Sequence, residues 1–77
     1  MNRRLLLDNL AHVERNIRDG ERHLLRQREI IDELERHGRG NSPTTKLARA
    51  LLDTFEMAQS AHLGDRANLL LTLGEMP

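Results

Sequence analysis

The sequence predicts an all-α protein: a long antiparallel helical hairpin that dimerises into a four-helix bundle. Three observations lead there. Leu6, Leu10, Val13, Ile17, Gly20, Leu24, Gln27, Ile31 and Leu34 follow one another at alternating steps of four and three, which puts all nine on one stripe of a continuous helix. Gly38, Arg39, Gly40 and Asn41 then interrupt the pattern, and Ser42-Pro43 restarts it. The second half, finally, carries more apolar side chains than one stripe can hold, which leaves a face for another chain to cover.

The expected layout is a single helical-hairpin domain over residues 1–77, with helix 1 at about 3–37, a loop at 38–42 and helix 2 at about 43–73. Asn2 is placed to cap helix 1. Gly38 or Gly40 suits the left-handed position that ends it. Ser42 can cap helix 2, and Pro43 fits the first helical position, where its missing N–H costs nothing. Gly74 and Pro77 close the chain. So short a connection makes the two helices antiparallel neighbours.

Composition fixes what can fill the core. The 77 residues include one aromatic, Phe55, and no Trp, Tyr or Cys. Leu, Ile, Val, Ala and Met must therefore do the packing, and no disulfide or thiolate site is available. A chain this short has trouble burying enough apolar surface alone, so added stability is expected from oligomerisation.

Folding back about the loop offers two phases for helix 2. The first uses Leu47, Ala50, Thr54, Met57, Ala61, Gly64, Asn68 and Leu71. It sets Leu34 on Leu47, Gln27 on Thr54, Gly20 on Ala61 and Ile17 on Gly64, so polar meets polar and large meets small. The second uses Ala48, Leu51, Phe55, Ala58, His62, Asp65, Leu69 and Thr72, and sets Asp65 on Ile17 and Phe55 on Gln27. The first phase is preferred for the hairpin seam, with Gly20, Gln27 and Thr54 giving it specificity. The second stripe is then left for self-association, and Leu51, Leu52, Phe55, Ala58, His62 and Leu69 are the candidate dimer contacts. His62 in such an interface would disfavour assembly when protonated. Leu7, Leu25 and Ile30 add apolar surface outside the helix 1 seam.

Charge excludes more than it suggests. Twelve basic and twelve acidic side chains cancel, so nothing global attracts a polyanion. Eleven of the basic residues are Arg. Arg15, Arg18, Arg22 and Arg26 recur on the outer side of helix 1 and are the candidate anion contact, the basis of an alternative reading as a small nucleic-acid-binding or regulatory dimer. Glu14, Asp19, Glu21 and Glu29 lie among them, at spacings such as Glu14–Arg18 and Arg15–Asp19 that pair on a helix, and no aromatic platforms for bases accompany them. A self-compensated, solvated face is the preferred reading.

Asp8/His12, Asp19/His23 and Glu33/His37 stand four apart. Surface ion pairing accounts for them more simply than two-ligand metal sites completed across a dimer. No nucleophile–base set and no phosphate loop after a strand is present, so no catalytic, metal or cofactor residue is assigned and the expected role is a non-enzymatic, self-associating interaction or scaffold module. An unidentified protein partner is the other partner considered. No signal core and no membrane span is legible, as Leu69 to Leu71 falls far short of one, and a cytoplasmic location is expected.

Three segments carry a likeness to known sequences: Gly20-Glu21-Arg22-His23-Leu24-Leu25-Arg26-Gln27-Arg28-Glu29-Ile30-Ile31, Leu51-Leu52-Asp53-Thr54-Phe55-Glu56, and His62-Leu63-Gly64-Asp65-Arg66. Over roughly residues 8 to 72 the chain resembles a family of short helical proteins of unknown function, common in rhizobial-type alphaproteobacteria. The resemblance implies a helical hairpin in a bacterial cytoplasm and brings no activity to any residue. Gly64 stands where that family often has Ala, which implies that helix 2 continues through it rather than breaking at Gly64-Asp65.

Overall fold

The computed structural model describes residues 2–76; Pro77 lies outside the described residues. Two α-helices make up the fold, α1 (Arg3–Arg36) and α2 (Pro43–Glu75). They lie side by side and antiparallel in a rod of 58 × 14 × 14 Å.

α1 begins where Asn2 accepts a hydrogen bond from the Leu5 N–H at 2.8 Å. It ends one residue earlier than expected, in a Schellman turn. The Arg39 N–H donates to the Leu34 carbonyl (3.0 Å) and the Gly38 N–H to that of Glu35 (3.1 Å). Gly38 takes φ +72°, a left-handed conformation that a Cβ disfavours, so the stop is Gly38 and not Gly40. After six intervening residues, 37–42, the chain is helical again. Ser42 Oγ accepts from the Thr45 N–H at 3.2 Å, and Pro43 occupies the first turn. The Thr45 hydroxyl in turn donates to the Arg39 carbonyl, and Arg49 reaches back to the Gly40 carbonyl (3.0 Å) and to Glu35 (2.8 Å). The loop thus holds Thr45 fully buried and points its side of α2 at α1.

Leu6, Leu10, Val13, Ile17, Gly20, Leu24, Gln27, Ile31 and Leu34 are all buried or half-buried, so the α1 seam is the one the spacing predicts. The α2 seam is not. Thr45, Ala48, Leu52, Phe55, Gln59, His62, Arg66, Leu69 and Leu73 are buried or half-buried, whereas every member of the preferred stripe, Leu47, Ala50, Thr54, Met57, Ala61, Gly64, Asn68 and Leu71, is exposed. The anchoring of Thr45 in the loop turns α2 so that those eight residues face outward. α2 is unbroken through Gly64-Asp65 and runs two residues further than expected.

Among the described residues no helix is long and apolar enough to cross a membrane.

Candidate interaction surface

Two glutamines lock the helices in register. Gln27 is buried, and its amide donates to the Ala48 carbonyl on α2 at 2.8 Å. Gln59, also buried, donates from α2 to the Ile17 carbonyl on α1 at 3.0 Å. Each helix therefore sends one amide into the backbone of the other. Gly20 makes the second contact possible: a Cβ there would lie 1.9 Å from Gln59 Oε1 and 2.8 Å from its Cδ. What the missing side chain of Gly20 accommodates is Gln59, not Ala61. Gln59 Oε1 itself is buried with no hydrogen-bond partner.

Gln27 and Gly20 thus lie in the seam, and Thr54 does not. Thr54 is exposed, and its hydroxyl donates to the Ala50 carbonyl of its own helix at 3.2 Å. Gln27 meets Ala48 in place of Thr54 because the bonded partner is a backbone carbonyl, which any residue supplies.

The six candidate dimer contacts divide. Leu52, Phe55, His62 and Leu69 are half-buried along the α2 seam, with the Phe55 ring centroid 5.5 Å from that of His23 on α1. Leu51 and Ala58 are exposed. The stripe named for self-association is consequently spent largely inside the hairpin, while the stripe named for the hairpin faces outward.

That outward face is unlike the outer side of α1. Sixteen of the 34 residues of α1 are charged, against seven of the 33 of α2. Leu47, Met57 and Leu71 are 72%, 73% and 65% exposed, and none of the eight residues of their stripe carries a charge. Leu51 and Ala58 adjoin the stripe. A helix that is apolar on opposite sides is normally covered on both, and an uncharged stripe whose large side chains are left this open is a candidate interaction site.

The polar candidates stay in water. Arg15, Arg18, Arg22 and Arg26 are exposed on α1. Arg22 pairs with Asp19 (3.1 Å) and Arg26 with Glu29 (3.6 Å), both at a spacing of three, rather than the four-residue pairs expected. Arg28–Glu56 (3.9 Å) and Arg49–Glu35 (2.8 Å) join the two helices along one edge. Sequence reasoning missed Arg49, whose loop contacts have no spacing signature. The histidines line shallow depressions between and beside the helices: His12 beside Val13 and Leu69, His23 and His62 beside Phe55, His37 beside Leu34. Among the described residues no three metal-ligating side chains gather at one point.

No family model, curated protein or solved structure matches the chain.

Proposed function

We propose that the protein is a non-enzymatic interaction module that works by self-association, two hairpins meeting through α2 to form a four-helix assembly. The observation that carries this reading is the uncharged stripe on the outer face of α2, with Leu47, Met57 and Leu71 each about two-thirds exposed or more. Such side chains gain roughly 1.5–3 kcal/mol apiece when fully buried, and the hairpin alone leaves that gain unrealised.

The weakness of the internal core supports the same reading. Leu6, Ile17, Ile31 and Ala48 are its buried apolar residues, and they share the interior with Gln27, Thr45 and Gln59. A seam this thin specifies one register but contributes little apolar burial, and small chains commonly make up the difference by oligomerising.

The test is molar mass in solution by light scattering across a dilution series, with refractive-index detection because the chain has no Trp or Tyr. The expected mass is that of two chains, falling toward one only on dilution. A constant mass of one chain at all concentrations would refute the proposal.

A further inference from the structure

The geometry points to a specific interface: α2 packs antiparallel on α2 of a second copy of this chain, about a two-fold axis level with residue 59. This inference rests on the self-association proposed above and adds its partner surface, direction and register.

The area agrees with one such contact. The chain exposes 5841 Å², whereas a compact monomer of its 8.9 kDa exposes roughly 4,800 Å². The excess of roughly 1,000 Å² is spread over the whole rod and leaves room for the ~800 Å² that each partner buries in a standard-size interface. The stripe from Leu47 to Leu71 is about 36 Å long at 1.5 Å per residue, more than half of the 58 Å rod.

Side-chain size selects the direction. Antiparallel helices bring together residues equidistant from the axis on opposite sides, so Leu47 meets the partner's Leu71, Met57 meets the partner's Ala61, and Thr54 meets the partner's Gly64. Each bulky or branched side chain near the centre then has a small one opposite it. A parallel pair would instead stack Met57 on the partner's Met57 and Gly64 on the partner's Gly64, an overfilled layer followed by a void, both costly in a close-packed interface.

Thr54 and Asn68 are the polar residues of the stripe, and Asn68 lies nine residues from the axis, toward the end of the contact. The Thr54 hydroxyl is already satisfied by the Ala50 carbonyl (3.2 Å), so covering Thr54 strands no donor. Immediately beside the axis stand Ala58 on one flank and Ser60 on the other, both uncharged, while Asp53 and the partner's Asp65 come level with each other six residues out, on the flanks of the stripe. The outer side of α1 cannot offer an equivalent surface, because Arg15, Arg22 and Glu29 recur along it.

The chain has no cysteine, so single nitroxide labels can be placed without further change. Ser60→Cys and Lys46→Cys are labelled separately, and interspin distances are measured by pulsed dipolar spectroscopy on the full chain. Both positions are exposed and flank the stripe. The antiparallel dimer gives a short distance at position 60, near the 8–10 Å spacing of packed helices plus the label arms. It gives a long one at position 46, roughly 40 Å from thirteen residues either side of the axis. Short distances at both positions would overturn the antiparallel register while leaving self-association intact. Long distances at both would place the contact on another face and overturn the interface. Absence of dipolar modulation, with a mass of one chain, would overturn self-association itself.

Discussion

Replacing Gln59 with leucine should stabilise the hairpin. Gln59 Oε1 is buried without a hydrogen-bond partner, and a stranded buried acceptor costs about 1–3 kcal/mol. Leucine removes that acceptor. It also removes the 3.0 Å bond from the amide to the Ile17 carbonyl, which contributes roughly 0.5–1.5 kcal/mol. The Ile17 carbonyl is not left stranded, because it lies within α1 and keeps its helical partner. Space is not limiting: Gly20 opposite has no side chain, and leucine is shorter than the glutamine now reaching past it. The balance is a gain of about 1 kcal/mol, which in a chain of this size raises Tm by roughly 4–8 °C. Thermal unfolding followed by circular dichroism at fixed protein concentration reads this directly. Gln59→Ala is the control: it loses the same bond and leaves a gap against Gly20, so it should rise less or fall. A lower Tm for Gln59→Leu than for the parent would refute the reasoning, since it would mean that the amide is worth more in place than its unpaired oxygen costs.

Other substitutions test neighbouring parts of the account. Gly38→Ala forces a Cβ into the left-handed turn at φ +72° and should cost about 1–2 kcal/mol, seen as a lower urea midpoint. Ser42→Ala removes the cap on the Thr45 N–H and should cost about 1 kcal/mol by the same assay; an unchanged midpoint would mean that the loop is held without it. Arg49→Ala should cost under about 1 kcal/mol, because its pair with Glu35 is about half exposed on both sides and screened by solvent. The Arg15, Arg18, Arg22 and Arg26 stripe should produce no shift of duplex DNA or RNA in a native gel at low salt. A shift that weakens steeply with added salt would instead make that stripe a phosphate-binding face.

How much of this was legible in the sequence differs sharply between the two helices. α1 has one continuous apolar stripe and a remainder that is charged apart from scattered residues such as Leu7 and Leu25, so its spacing admits one answer, and Leu6 through Leu34 occupy the seam as the periodicity requires. α2 is apolar on two sides, so periodicity establishes a helix without saying which side turns inward. Pairing chemistry, polar on polar at Gln27–Thr54 and large on small at Ile17–Gly64, then favoured the wrong side, because the true seam contains Thr45, Gln59 and Arg66. Their burial depends on the loop anchoring Thr45 and on backbone carbonyls receiving an amide, and a carbonyl leaves no mark on residue type. The loop was legible in outline from Gly38 and Ser42-Pro43. One clue to the register was present: Gly20 within an otherwise bulky seam asks for a long side chain opposite, and Gln59 supplies one where Ala61 does not.

The outer face of α2 is the stripe whose spacing assigned it to the hairpin seam, and its orientation changes its meaning from internal packing to candidate partner surface. The measurement that tests this most directly is the molar mass of Met57→Asp beside that of the parent chain, with helicity recorded on both. Met57 is 73% exposed in the hairpin, so the substitution leaves the fold alone, but in the proposed dimer it places an unpaired carboxylate in the interface twice over. The account predicts two chains for the parent and one for the variant, with undiminished helical signal. A variant that remains a dimer, or a parent that is already a monomer, would contradict it.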